Sequence, residues 1–250
     1  MSVRVTNIQR MCFDDGPGIR TTVFMKGCSI HCPWCSNPEN ISFEKQTTFG
    51  GIEYGIDYEP QELVRILEKD KEFWDYDGGV TFSGGEVLMQ AFQLEEVWAL
   101  LKKDDVHLAV ETALFVPAQA VEIAMRYIDL FYVDVKLLDR ELCLSVLGGD
   151  LNSYYNNVKM LVSQGKDIYF RVPCFREYVM QEHHMKELLQ FFRDYKQYPI
   201  ELFPLHDLGR KKYESLGLRM REFEKVTERD LKIFQAKLIQ EGCKAEIINI

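Results

Sequence analysis

An α/β fold with a parallel sheet, arranged as a β/α barrel, is what this sequence predicts, on three observations. Short β-branched or aromatic runs alternate with helical patterns from residue 20 to the end, the mark of repeated βα units. At 250 residues and 46% hydrophobic side chains the chain can bury a substantial core as one domain. The polar, chemistry-bearing residues fall at or near the C-terminal ends of the strands, which a parallel barrel gathers at one mouth.

Taken in order, the opening MSVRVTNIQRMC has no apolar signal core, and Asp14-Asp15-Gly16-Pro17-Gly18 reads locally as a turn. Strand 21–26 (TTVFMK) runs into Gly27-Cys28, and strand 79–82 (GVTF) into Ser83-Gly84-Gly85-Glu86. After the helical stripe Leu94/Val97/Trp98/Leu101 comes strand 107–111 (HLAVE), ending at Glu111-Thr112. The stripe Ala120/Ile123/Ala124/Tyr127 leads to strand 130–135 (LFYVDV), carrying Asp134 and followed by Lys136. Strand 168–172 (IYFRV) carries Arg171, the stripe Met185/Leu188/Leu189/Phe192 follows, and strand 200–203 (IELF) leads through Pro204 to His206. Thr227-Glu228-Arg229-Asp230 is a variant capping box that starts a last helix, and 244–249 reads as an edge strand. The apolar stripes are core, not cofactor boxes.

Composition removes several functions. The net charge is −9 with no Lys/Arg cluster, so the footprint of a nucleic-acid binder is missing. The longest apolar stretches, such as LFYV at 130–133, fall far short of the roughly 20 residues a membrane span needs, and a cytoplasmic protein is expected. Seven cysteines form an odd set in a chain without a signal, which speaks for metal binding plus buried thiols and against a disulfide framework. Cys12, Cys143, Cys174 and Cys243 stand singly and read as small buried hydrophobes.

Cys28, Cys32 and Cys35 are different. In GCSIHCPWCSNP they form a C-x3-C-x2-C loop, one thiolate short of saturating an iron-sulfur cube, so a 4Fe-4S cluster held here keeps one iron open. A zinc knuckle completed by His31 is the rival, but zinc loops come as two ligand pairs and no second pair follows. Trp34 can shield the cluster from water. In Ser83-Gly84-Gly85-Glu86 the glycines let the backbone approach a ligand, with N–H groups at the following helix start available to a carboxylate. Asp134 and Lys136 share one face of a strand whose neighbours are apolar, where a ligand explains buried charge better than a surface ion pair does. His206 taken alone reads equally well as a loop histidine.

With those residues in place the chain resembles the radical S-adenosylmethionine superfamily, and within it the activating enzymes of glycyl radical enzymes, nearest the branch that activates pyruvate formate-lyase. The cysteine loop with an aromatic before its last cysteine carries the superfamily likeness. The narrower one rests on Asp15-Gly16-Pro17-Gly18-Ile19-Arg20, Asn37-Pro38, Gly78-Gly79-Val80-Thr81 before Ser83-Gly84-Gly85-Glu86, and Pro204-Leu205-His206-Asp207-Leu208-Gly209 before Lys212-Tyr213 and Leu216-Gly217. The resemblance implies a partial (β/α)6 TIM-like barrel, a single domain over 1–250 with its core at about 15–215 and a C-terminal helix and strand at 227–250, and no ferredoxin-like insertion, since 36–80 contain no cysteine.

It also implies a 4Fe-4S cluster on Cys28, Cys32 and Cys35 whose fourth iron takes S-adenosylmethionine. The cofactor's contacts would be Trp34, Ser36, Gly84, Gly85, Glu86, Asp134, Val135, Lys136, Arg171 and His206. The monovalent cation of some activases would map to Glu111, Thr112, Tyr132 and Asp134. Asp15 and Arg171 would meet the loop of a glycyl radical enzyme, a flavodoxin- or ferredoxin-type donor would supply the electron, and the chain would work as a monomer. The implied reaction is reductive cleavage of S-adenosylmethionine to a 5′-deoxyadenosyl radical that takes hydrogen from a glycine Cα. Ser36 stands where the family commonly has His, Val87 where it has Pro, Glu111-Thr112-Ala113-Leu114 where it has Asp-Thr-Asn-Gly, and Pro173-Cys174 where it has Pro-Gly. These departures leave open radical chemistry on a biosynthetic peptide or small molecule. A simple iron-sulfur electron carrier would need a fourth cysteine and would give Lys136 and His206 no role.

Overall fold

All six predicted strands form in the computed structural model, which describes residues 1–74 and 77–248. A strand not anticipated from sequence, β1 (Val3–Cys12), precedes β2 (Arg20–Met25). After the short β3 (Gln46–Thr47), β4 (Glu53–Tyr54) and β5 (Ile56–Tyr58) comes α1 (Pro60–Leu67). The βα series then runs β6 (Gly79–Gly84), α2 (Ala91–Lys103), β7 (His107–Thr112), α3 (Ala118–Ala124), β8 (Leu130–Asp134), α4 (Arg140–Leu142) and α5 (Leu151–Ser163). It continues with β9 (Asp167–Cys174), α6 (Glu182–Asp194), β10 (Pro199–Pro204), α7 (Arg210–Ser215), α8 (Glu228–Gln240) and β11 (Lys244–Ile247). Of the edge strand expected at 244–249, β11 forms and Ile248 N–H donates to Leu202 O at 2.9 Å; positions 249 and 250 lie outside the described residues.

A nine-stranded sheet ordered β11-β10-β9-β8-β7-β6-β2-β1-β5 curls into a partial barrel. From β2 to β11 every pairing is parallel, while β1 and β5 add antiparallel at the β2 edge. Strand alternation sorts the side chains. Val23, Phe82, Val110, Phe131, Phe170 and Leu202, all fully buried, face the helices, where Phe82 meets Trp98 of α2 edge-on at 6.0 Å. The alternate positions fill the barrel interior with a second set: Arg20, Thr22, Thr81, Glu111, Tyr132, Arg171 and Glu201. An apolar outer face and a polar inner one make this barrel a container for charge.

The helix starts follow their caps. Thr227 caps α8, with the reciprocal Thr227–Asp230 bonds of a capping box. Asp150 accepts from the Asn152 and Ser153 N–H groups to start α5, which the sequence reading did not assign. Its Asn-rich run is weakly helical by propensity, yet Leu151, Tyr154, Val158 and Leu161 are all buried. No helix among the described residues is long and apolar enough to cross a membrane.

Candidate active site

The cysteine loop leaves the end of β2 at Gly27, whose φ of +99° and lack of Cβ let it pass under Phe43; an added Cβ would lie 2.2 Å from that ring. Backbone bonds then shape the loop, with Cys28 N–H donating to Ile41 O at 3.1 Å, His31 N–H to Leu147 O at 2.9 Å and Cys35 N–H to Cys32 O at 3.1 Å. All three cysteines line one cavity of about 190 Å³ as free thiols. Trp34 is buried beside them, its ring 4.6 Å from Phe175 and 5.9 Å from Phe223, so an aromatic wall closes the loop's back.

The donor set fits an iron-sulfur cube. Burial pushes the Cys28 thiol up to about 12 and raises Cys32 and Cys35 as well, so three thiolates can exist here only against a concentrated positive charge. Lys136 is the one cation that lowers all three. A single zinc ion would draw three sulfurs to about 3.8 Å from one another. Among the described residues, the metal-binding side chains whose ligand atoms all lie within 4.8 Å of one another are Asp139, His183 and Glu187, so the sulfurs are spread wider than one ion would hold them. His31, the candidate fourth zinc ligand, is exposed and does not line the cavity. Cys12, Cys143, Cys174 and Cys243 are buried, as expected of isolated thiols.

Opposite the cysteines the cavity is lined by Ser36, Gly84, Gly85, Glu111, Thr112, Asp134, Lys136 and His206. Asp134 and Lys136 project from the same side of β8 and its extension, Lys136 Nζ donating to Asp134 Oδ2 at 2.8 Å. Burial pulls the Lys136 ammonium down, but Asp134 and the cysteines outweigh it and hold it above its ordinary value. His206 follows β10, and burial lowers its imidazole. Of the remaining predicted contacts, Glu86 and Val135 lie behind the cavity wall, and Arg171 lines only a neighbouring chamber.

Each of those placements has a local cause. Val135 points away because it alternates with Asp134 and Lys136, and it is fully buried while its N–H donates to Arg171 O at 2.8 Å. Glu86 turns its carboxylate inward, where it accepts from Leu88 N–H (3.1 Å), Thr112 Oγ1 (2.7 Å) and Ala113 N–H (2.8 Å) and so ties the turn after β6 to the end of β7. The N–H groups expected to be available at this turn are spent within the protein: Gly85 N–H donates to Met25 O at 2.9 Å and Glu86 N–H to Gly27 O at 2.8 Å. The glycines are there for close packing, since a Cβ on Gly85 would meet Gly27 O at 2.1 Å and one on Gly84 would meet the Met25 backbone at 2.4 Å. The turn is the floor on which the cysteine loop stands. Leu114, at a position where the resemblance expects glycine, keeps a left-handed φ of +58°, its N–H held by Thr112 Oγ1 at 3.0 Å and its carbonyl by Asn157 at 2.9 Å.

Arg171 lies three residues before the end of β9 rather than at its tip. Its guanidinium pairs with Glu111 and with Glu201 (2.6 Å), donates to Asp14 O at 3.1 Å, and stands 3.8 Å from the Tyr132 ring centroid. Asp15 accepts from Thr22 and, through its carbonyl, from Thr81 Oγ1 at 2.7 Å. Arg171, Asp14, Asp15, Leu208 and Lys212 line a second chamber of about 450 Å³, which shares Ser36, Asn37, Ser83, Glu111, Asp134, Phe203 and His206 with the first. Sequence reasoning missed Glu201 and the Lys212–Glu39 pair (2.6 Å), which secures the exit of the cysteine loop together with Lys212–Asn37 (2.6 Å). A charged residue inside the otherwise apolar IELF run was the available signal for Glu201.

A family model for the radical SAM superfamily matches residues 22–192. The chain is 34% identical to a pyruvate formate-lyase 2-activating enzyme of Escherichia coli (strain K12) over 86% of its own length and 81% of that protein's. This chain belongs to the radical SAM superfamily, among the glycyl-radical-enzyme activases. It is also 27% identical to a trans-4-hydroxy-L-proline dehydratase activating enzyme of Clostridioides difficile, over 86% of this chain and 88% of that one. Among solved structures, a radical SAM methyltransferase from Sphaerobacter thermophilus superposes with a TM-score of 0.67 at 15% identity, over 96% of this chain and 68% of that one, a likeness of fold. Membership makes a 4Fe-4S cluster and S-adenosylmethionine the cofactors of this radical SAM enzyme.

Proposed function

We propose that this activase installs a radical on a glycine Cα of a pyruvate formate-lyase-like partner. One observation carries the reading: the cysteine cavity adjoins, across seven shared lining residues, a second chamber bounded by Asp14, Asp15, Leu208 and Lys212. With the cofactor in the first cavity, the second chamber is where a loop of the partner would approach it.

Bound together, the cluster and S-adenosylmethionine supply the 5′-deoxyadenosyl radical by one-electron cleavage of the sulfonium. This chain's residues bind, orient and enclose. Cys28, Cys32 and Cys35 would hold three irons and leave one for the amino acid end of the cofactor. The Lys136 ammonium, kept charged by Asp134, is available to its carboxylate. Ser36 and His206 flank the passage between the chambers, and Trp34 with Phe175 keeps water from the loop's back. Asp15, pinned by Thr22, presents a fixed edge to an entering peptide.

A cytoplasmic setting suits a site that depends on reduced thiols, and a flavodoxin- or ferredoxin-type protein would be the electron donor. The chain would work as a monomer and as a single radical SAM domain. The test is an anaerobic mixture of the reconstituted enzyme, reductant, S-adenosylmethionine and a pyruvate formate-lyase-type partner. A glycyl-radical doublet in the electron paramagnetic resonance spectrum is expected, absent when the partner's glycine is changed to alanine. Deoxyadenosine release with no doublet on any such partner would refute the reading.

A further inference from the structure

The resemblance maps an alkali-cation site to Glu111, Thr112, Tyr132 and Asp134, but Glu111, Thr112 and Asp134 each already commit side-chain oxygen to a partner, and a guanidinium stands against Glu111 and Tyr132. Glu111 accepts from Arg171 with one oxygen and from Ser83 with the other. Thr112 Oγ1 donates to Glu86 at 2.7 Å and accepts from Leu114 N–H at 3.0 Å. Asp134 accepts from Lys136 at 2.8 Å. Tyr132 offers its ring face to the Arg171 guanidinium, 3.8 Å away. The residues at this position do not fit an alkali ion.

Each of the three carboxylates already has a cation against it: Glu111 and Glu201 share Arg171, and Asp134 holds Lys136. Glu111, Glu201 and Asp134 face Arg171 and Lys136 inside the barrel, and an added cation would sit beside a guanidinium in a medium that screens poorly. Glu201 bonds Arg171 Nε while Glu111 bonds Nη1, and the Tyr132 ring stands 3.8 Å away, so the strands themselves set its position. A planar, permanently charged group fixed at three points can do electrostatically what a diffusible ion does, with no binding equilibrium of its own.

We propose that this activase takes no alkali ion beside its S-adenosylmethionine cavity, and that Arg171, positioned by Glu111, Glu201 and Tyr132, supplies the positive charge there. The proposal rests on the cofactor occupying the cysteine cavity, and its test separates the two ideas. Cluster-loaded enzyme is titrated with thallium(I), a potassium mimic followed by its NMR signal, without S-adenosylmethionine. The affinity for S-adenosylmethionine is then measured by equilibrium dialysis in potassium, sodium and tetramethylammonium chloride at one ionic strength.

The expected results are no saturable thallium site and affinities that agree within about twofold in the three salts. One saturable site, or binding about tenfold weaker in tetramethylammonium, overturns the proposal. In Arg171→Gln, thallium binding should appear and potassium should tighten S-adenosylmethionine by about fivefold or more. A folded Arg171→Gln protein that responds to neither ion overturns the assignment to Arg171. Should the variant fail to fold, the wild-type thallium titration decides alone. Failure of S-adenosylmethionine to bind in any salt would sink the proposed function and leave the thallium result standing.

Discussion

Gly85→Ala isolates the contact on which the site's geometry depends. Gly85 is not in the left-handed region, so alanine brings no backbone strain, only a methyl group 2.1 Å from Gly27 O and 2.6 Å from Asn40 O. Both neighbours are backbone atoms and neither can swing aside. To relieve the clash, the turn after β6 must part from the cysteine loop, loosening the Glu86 N–H to Gly27 O bond and the Gly27 N–H to Asn40 O bond, each 2.8 Å. Two hydrogen bonds at about 1 kcal/mol each, plus overpacking of about 1–3 kcal/mol, give a destabilisation of about 3–5 kcal/mol. For a chain of this size that lowers the melting temperature by about 6–20 °C. Anaerobic calorimetry of the apoprotein reads this directly, and iron analysis after reconstitution should show less than a full cluster. Gly148→Ala is the control: φ is +74° with nothing within 4 Å, so it should cost only about 1 kcal/mol and leave iron content untouched. A Gly85→Ala protein melting within about 2 °C of wild type with full iron would refute the packing argument.

Cys32→Ala should abolish both the charge-transfer absorbance of the reconstituted cluster and deoxyadenosine formation, whereas Cys174→Ala, at a buried thiol remote from the loop in sequence, should retain the absorbance. Lys136→Met removes the cation that Asp134 holds and should weaken S-adenosylmethionine binding by about tenfold or more, read by equilibrium dialysis; unchanged affinity would remove Lys136 from the cofactor site. His184 is buried on α6 with Nε2 accepting from Leu138 N–H at 2.8 Å, and burial lowers its imidazole to about 4. Because the folded state disfavours the proton, the associated stability is full above the unfolded value near 6.5 and is lost as pH falls toward 4, a change of about 3 kcal/mol. His184→Gln should be less stable at neutral pH but show a flatter decline of unfolding free energy between pH 6.5 and 4; equal slopes would contradict the assignment.

What the sequence exposed and what it hid divide along physical lines. Strand positions, the cysteine loop and the Asp134–Lys136 pair were legible because each rests on short-range periodicity: alternation puts residues two apart on one face wherever the strand lies. The same rule read along IELF would have found Glu201, had the charge been weighed against its buried neighbours. β1 escaped notice because only Val3 and Val5 of its alternating half are buried and two register shifts blur the rest. Gly84 and Gly85 do line the cavity, but the bonds that Glu86 and the turn's N–H groups make within the protein were hidden for a different reason. Which carbonyl receives the Gly85 N–H, and which way a buried carboxylate turns, depends on loops that meet only in three dimensions. Arg171 likewise carried no sign of a second carboxylate thirty residues on.

The central claim is that this cavity directs a radical at a glycine Cα in another protein, and isotope transfer tests it most directly. A pyruvate formate-lyase-type partner labelled with α-deuterated glycine is incubated anaerobically with the reconstituted activase, reductant and S-adenosylmethionine, and the 5′-deoxyadenosine is weighed by mass spectrometry. The account predicts one deuterium per deoxyadenosine, matched in amount by glycyl radical on the partner. Deoxyadenosine carrying no deuterium, while the partner stays radical-free, would contradict it.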